Sequence, residues 1–304
     1  MRIAVLSDCR KPTLPVGGHG LGRVACDIAS GLSAKGHKVT IYAGPDSIAP
    51  DGVDLVTHAD EVARIAEIDF DTADVWLDLS HLHALSVHRP AVKQVHYIMD
   101  DECTIEPVCC VVGSAFRQRQ FPVSEIVPLG IDTAAIPFDK TGGRDLLYVA
   151  KMERRKGWDI AIEVANKAGK PLAMYGELFL YRAPTPEQWR GTIDDNAALF
   201  RILGSAQAFL APYRDDAGGR VLLEAQAAGT PVLTFGDVGC ISHVEHCVSG
   251  YVCHNDAEMV DALADVRYLR RERVREWVIA NHDLKVMIEG IEALLTKAAD
   301  GERW

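Results

Sequence analysis

The sequence predicts an α/β protein of two doubly wound halves, and three observations predict it. Short apolar runs alternate with amphipathic segments from residue 2, the alternation lapses between Thr133 and Arg144, and it resumes at Asp145 to run into a helix-rich tail. The chain has 304 residues, beyond the usual extent of one hydrophobic core, so each run of alternation reads as its own domain.

In order, RIAVLS (2–7) reads as a strand, LGRVACDIASGLSAKG (21–36) as an amphipathic helix stopped by glycine, and KVTIYAG (38–44) as a second strand. This βαβ opening implies parallel strands, because the crossover returns the chain to the same edge. Further short strands follow at 54–58, 74–80, 93–99, 109–114 and 125–130. Pro137 and the pair Gly142 and Gly143 mark the connector. Then DLLYVAKM (145–152), a helix over 156–169, PLAMYG (171–176), QAFLAPY (207–213), a helix opening near Gly219 and PVLTF (231–235) repeat the pattern. The expected domains are 1–138 and 139–280, followed by a helical tail over 281–304 that crosses back to the first domain. Two such halves are expected to face a central cleft at the carboxyl ends of their strands.

Composition narrows the function classes. A formal net charge of -11 argues against broad nucleic-acid binding, which relies on neutralising phosphates with Lys and Arg. MRIAVLSDCR is too short an apolar run for an export signal, and no stretch approaches the ~20 apolar residues of a transmembrane segment. The eight cysteines follow no disulfide or CxxC spacing and read as reduced thiols, so a cytoplasmic protein is expected.

The chemistry concentrates in DDAGGRVLLEAQAAGTPVLTF (215–235). A glycine pair is a poor helix interior, whereas 220–228 is rich in strong helix formers, so the helix is expected to begin near Gly219. Asp216 then lies in the preceding loop and Glu224 about one turn inside. Between them, Gly218 and Gly219 leave backbone N–H groups uncovered at the positive end of the helix dipole, which suits a phosphate. Two acids flanking a phosphate can accept hydrogen bonds from hydroxyls on either side, as a nucleotide sugar would offer; an ordinary turn with solvated acids remains the alternative. PVGGHGLGR (15–23) repeats the glycine-to-helix arrangement after the first strand, with Gly17, Gly18, Gly20 and Gly22 letting backbone approach a ligand, and it lacks the dinucleotide fingerprint.

KMERRKG (151–157) sets Lys151, Arg154, Arg155 and Lys156 near a helix start, where cations oppose the dipole unless an anion joins them. Lys151 and Lys156 are the phosphate candidates, and Arg154 and Arg155 read as solvated. Among the histidines, His96 is read at a strand end facing the crevice, while His81 and His83 would point to opposite faces and form no evident pair. CISHVEHCVSGYVCH (240–254) has no familiar zinc spacing, and Asp69 and Asp71 read as a solvated loop, so no metal is expected.

Taken together, VGGHGLGRVACDIASGLSAKGHKVTIYAG, QVHY, EIVPLGIDTAAIPF, LLYVAKMERRKG, WRGTIDD and the 215–235 block resemble glycosyltransferase family 4 over nearly the whole chain. That family is retaining and nucleotide-sugar-dependent, with the GT-B fold of two Rossmann-like domains. The resemblance implies that Asp216 contacts hydroxyls of the transferred sugar and Glu224 the nucleotide ribose. Amides near Gly218, Gly219 and Arg220 would face the sugar and diphosphate, Gly17 and Gly18 would approach the distal phosphate, and Lys151 and Lys156 would neutralise the leaving group without a metal. His96 would position the sugar. The donor would be a nucleotide diphosphate sugar, UDP favoured, no cofactor would be required, and the acceptor would be a small molecule, glycan or lipid-linked hydroxyl. Asp216 stands where the family has glutamate and Lys151 where it has arginine, which leaves the donor sugar open. The alternatives are an epimerase of the same fold and a catalytically weak nucleotide-sugar-binding relative; the acidic balance speaks against a DNA-modifying variant.

Overall fold

The computed structural model describes residues 1–15, 20–99, 103, 108–178, 188–193, 195–216, 219–236 and 239–304. The chain divides into two compact units, Met1–Gly130 with Leu284–Trp304, and Ile131–Asp283. These bounds differ from the junction at 138 and tail start at 281 read from the sequence. Ile131 pairs with Asp283 in a parallel bridge and its N–H donates to the His282 carbonyl at 2.9 Å, which ties the start of the connector to the end of the second unit.

The first unit comprises β1 (Arg2–Leu6), α1 (Gly20–Ala34), β2 (Lys38–Ala43), β3 (Asp54–Thr57), α2 (Glu61–Glu67), β4 (Val75–Asp78), α3 (Ala84–His88), β5 (Gln94–Ile98), β6 (Cys110–Val112), α4 (Ala115–Gln118) and β7 (Glu125–Ile126). Its seven-stranded sheet runs β3-β2-β1-β4-β5-β6-β7, every neighbouring pair parallel. β4, β5 and β6 are buried along their whole length, which is why they read as short apolar runs and not as alternating ones. The winding reverses between β1 and β4, so the loops leaving those strands flank the switch point. α1 buries Val24, Ile28 and Leu32 at helical spacing. A Cβ on Gly31 would come within 2.5 Å of Ile288, so that glycine admits the close approach of the last helix.

The second unit comprises β8 (Leu146–Val149), α5 (Trp158–Lys167), β9 (Leu172–Tyr175), α6 (Asn196–Gly204), β10 (Ala208–Ala211), α7 (Arg220–Ala227), β11 (Val232–Phe235), β12 (Gly250–Cys253), α8 (Asp256–Asp265) and α9 (Arg271–His282). Its parallel sheet runs β12-β11-β10-β8-β9, with the switch point between β8 and β10. α10 (Leu284–Ala299) belongs to the first unit, where it buries Met287, Ile288, Ile291, Leu294 and Leu295. No helix among the described residues is long and apolar enough to cross a membrane, and the described cysteines are free thiols.

α9 holds the second unit closed through two half-buried arginines. Arg271 donates to the carbonyls of Asp139 (2.7 Å), Ala206 (3.0 Å) and Gly204 (2.6 Å) and to Thr230 Oγ1 (2.9 Å). Arg275 donates to the carbonyls of Ile136, Ala227 and Thr133. These acceptors include the carboxyl ends of α6 and α7, whose last carbonyls have no intrahelical partner and carry the negative end of the dipole. Arg271→Ala is expected to cost about 3 kcal/mol in urea unfolding, since several partly buried carbonyls lose a charged donor; Arg271→Lys should recover less than half, because a point charge cannot reproduce the fork.

Candidate functional site

The switch point of the second unit brings the loops leaving β8 and β10 together. Gly157 caps α5 with φ 66°, and a Cβ there would fall 1.9 Å from the Pro212 carbonyl oxygen, so only glycine permits this approach. The Arg214 N–H donates to the Arg155 carbonyl at 2.8 Å, and the guanidinium of Arg214 grips Asp159 with two 2.9 Å bonds. Below them the buried Tyr148 hydroxyl donates to the Lys156 carbonyl at 3.2 Å, giving an enclosed phenol the partner it requires.

Held this way, Lys156 Nζ lies 2.6 Å from Asp216 Oδ2, with both side chains largely withdrawn from water at 13% and 12% exposure. The same ammonium stands 5.0 Å from the centre of the Tyr213 ring. Arg155 is occupied by Glu153 at 2.6 Å, whereas Lys151 is exposed and makes no ion pair among the described residues. The loop thus presents one cation held in an ion pair and one exposed cation.

α7 opens beside this pair. Gly219 is its N-cap, left-handed at φ 57°, and makes no side-chain cap hydrogen bond. Arg220 Nε donates to Glu224 Oε1 at 3.0 Å, and Glu224 is 2% exposed. Under the turn, the buried His243 makes a hydrogen bond to the Gly219 backbone. Gln226 Nε2 donates to the His243 carbonyl at 2.7 Å, and the His282 ring stacks edge-on against His243 at 5.3 Å. Burial, with His282 adding to it, pushes the His243 imidazole well below the ordinary histidine value.

In the first unit the polar groups gather where β1 and β4 end. Asp8 is buried; although burial opposes it, hydrogen bonds from His81 and the Arg10 amide hold its carboxyl well below the usual carboxylate range. Asp78, at the end of β4, accepts from the Ser80 amide and hydroxyl through Oδ1. His96 stands in register with Asp78 on β5, its Nδ1 3.5 Å from Asp78 Oδ2 and 3.3 Å from His83 Nδ1. Burial pulls the His96 imidazole down to about 4.

The sequence-predicted residues therefore separate into groups. Lys156 with Asp216, and Arg220 with Glu224, are brought together at the mouth of α7, and Gly219 caps that helix. Gly17, Gly18 and Gly218 lie outside the described residues. One expectation is corrected. His96 sits in the middle of β5, wholly buried with both ring nitrogens engaged inside its unit, and not at an exposed strand end. A further contact is one the sequence does not anticipate: His81 and His83 take different partners, and His83, in the turn before α3, meets His96, while His81 reaches Asp8. Asp78, His83 and His96 also form a group whose ligand atoms lie within 4.8 Å of one another, whereas the described residues of 241–254 form none. Sequence reasoning missed Gly157 and Tyr148; Tyr148 had a signal, a hydroxyl on a buried strand, whereas Gly157 signalled only a turn.

Residues 143–267 match the family model described as "Glycosyl transferases group 1". Glycogen synthase from Mycobacterium tuberculosis is 30% identical over an alignment covering 42% of this chain and 35% of that protein. The matched region is thus about a third of that relative's length. Among solved structures, AviGT4, a glycosyltransferase involved in avilamycin A biosynthesis, superposes with TM-score 0.77 at 20% identity, covering 100% of this chain and 99% of that one. Anabaena HepE, solved with UDP and glucose, gives TM-score 0.73 at 13% identity, covering 97% of this chain and 99% of that one. The fold is that of the GT-B glycosyltransferases: two parallel-sheet α/β units.

The buried His243 sets an acid limit on stability. The unfolded chain takes up a proton at this imidazole below about pH 6.5 that the folded chain refuses, so stability falls as pH drops below that value and is recovered above it. Urea unfolding of His243→Gln is expected to show a shallower acid limb than the parent, by up to about 1.4 kcal/mol per pH unit.

Proposed function

We propose that the protein is a retaining glycosyltransferase of the reducing cytoplasm, taking a hexose-type sugar from a nucleotide diphosphate sugar, UDP favoured, to an acceptor hydroxyl. The observation that carries this reading is the Lys156–Asp216 pair held at 2.6 Å beside the glycine-capped N-terminus of α7. A diphosphate placed there meets Lys156, the first-turn amides and the exposed Lys151. As the anomeric C–O bond breaks, negative charge grows on the leaving phosphate, and cations already fixed in place stabilise that state more than the ground state. No metal on the diphosphate is needed for this. Asp216 turns from Lys156 to hydroxyls of the donor sugar, Glu224 binds the ribose, and Arg220 holds Glu224 in position. The acceptor oxygen attacks from the face the phosphate leaves, and its proton passes to the departing phosphate oxygen.

Unit 131–283 is the donor-binding half in this reading, and the unit formed by 1–130 and 284–304 receives the acceptor. His96 is given no contact with donor, because it is wholly buried in β5, with Nε2 on Gln94 and Nδ1 facing His83 and Asp78. HepE, a protein of this fold, has been solved with UDP-glucose, which supports the choice of UDP. A catalytically weak nucleotide-sugar-binding relative is the second reading, favoured by the neutralisation of Lys156 by Asp216.

A thermal-shift and hydrolysis screen of UDP, GDP and ADP sugars, with and without EDTA, separates the two. Selective stabilisation with sugar release that EDTA does not abolish is the expected result; stabilisation without turnover would favour the weak relative. Lys156→Ala should lower kcat about 100-fold or more. Glu224→Ala should raise KM for the donor about tenfold, the loss of one buried acceptor. Full activity in Lys156→Ala would remove the phosphate assignment.

A further inference from the structure

We propose that Asp78, His83 and His96 form a buried binding site for a first-row divalent cation, zinc foremost, at the carboxyl end of β4. Neighbouring parallel strands place Asp78 and His96 in register, so their side chains share one face of the sheet. His83 reaches the same point from the turn before α3, in a left-handed conformation at φ 45°. The three residues are 0%, 1% and 0% exposed.

Their hydrogen bonds fix which atoms carry lone pairs. Gln94 Nε2 donates to the Arg89 carbonyl at 3.0 Å, which turns Gln94 Oε1 toward His96 Nε2 at 2.7 Å. An amide oxygen only accepts, so His96 carries its proton on Nε2 and directs the Nδ1 lone pair inward. That lone pair faces His83 Nδ1 at 3.3 Å and Asp78 Oδ2 at 3.5 Å. A proton on His83 Nδ1 could serve His96 and still leave Asp78 Oδ2 without a hydrogen bond, and His83 Nε2 is also buried without one. Converging acceptors with an unpartnered carboxylate oxygen are costly in a protein interior.

A cation resolves this arrangement. Zinc–nitrogen bonds of about 2.0–2.1 Å in tetrahedral geometry place ligand atoms about 3.3–3.4 Å apart, close to the two separations seen. Two imidazoles and one carboxylate favour zinc or a neighbouring transition metal over magnesium or calcium. Gln94 on His96 and Ser80 on Asp78 supply the outer hydrogen bonds that orient such ligands. The buried Glu61, hydrogen-bonded to Ser80, adds a second acid near the site. With all three ligands enclosed, the cation enters as the unit folds and joins β4, β5 and the start of α3. This inference rests on neither the donor site nor the transfer reaction.

The test uses the full chain without an affinity tag. Protein grown with zinc is desalted and its metal content measured; a second sample is unfolded, stripped with chelator, and refolded with or without cobalt. The expected result is about one zinc per chain, visible cobalt bands of a nitrogen- and oxygen-ligated site, and a raised unfolding midpoint in the loaded sample. Asp78→Asn and His83→Asn should each lower metal content about tenfold or more, asparagine at 83 tolerating the left-handed backbone. His81→Ala, which touches Asp8 instead, should retain the metal. Zinc below about a tenth per chain together with no cobalt bands in the refolded parent would overturn the proposal, as would undiminished metal in both ligand variants. Should the variants fail to fold, the cobalt spectrum of the parent decides.

Discussion

The candidate donor site depends on one steric permission, the missing Cβ of Gly157. Parallel strands β8 and β10 would otherwise splay their outgoing loops, and the Pro212 carbonyl occupies the space any other side chain would need. With the loops in contact, backbone bonds from Arg214 and Asp215 to the Arg155 carbonyl fix one loop against the other. The position of Lys156 relative to Asp216 follows from that contact and does not require either charge to find its partner. Electrostatics then acts on a geometry already set, which is the condition under which a fixed cation is worth more than a mobile one.

The charges nearby illustrate the same ordering. Arg154 and Arg155 carry the same charge as Lys156 yet are exposed, and Arg155 is paired on the surface. Arg220 stands in the first turn of α7, where the dipole disfavours it, and Glu224 four residues on offsets this within the helix. Polar groups of the first unit are arranged differently: Asp8, Asp78, His83 and His96 are enclosed, and each is governed by its hydrogen-bond partners more than by solvent.

Much of the fold was legible because both sheets are parallel. Strands such as β4, β5 and β10 are buried on both faces and so appear as bare apolar runs, and the glycine before Arg220 marks the start of α7. α2 and α6 were not legible: each is short, and its asparagine- or aspartate-type cap, Asp60 or Asp195, occurs in loops as often as before helices. At the candidate site, residue type singled out Lys156, Asp216, Arg220 and Glu224, because charge next to glycine at a helix start suits an anion. It could not reveal that Lys156 and Asp216 pair, nor that His83 meets His96, because both contacts join segments whose separation is set by strand order. The role of Gly157 was hidden for the same reason: a single glycine signals a turn, whereas the carbonyl it must avoid lies 55 positions along the chain.

The return of α10 to the first unit has a consequence for the order in which the protein is made. Residues 131–283 contain every strand and helix of their own unit, so that unit is complete as soon as Asp283 has emerged from the ribosome. The sheet that was synthesised first must wait for residues 284–304, because Ile288, Ile291, Leu294 and Leu295 supply part of its apolar cover and the Trp304 indole donates to the Cys110 carbonyl of β6. Vectorial synthesis normally favours the amino-terminal domain. Here the chain order is inverted in time, and the older half of the polypeptide becomes the younger folded body.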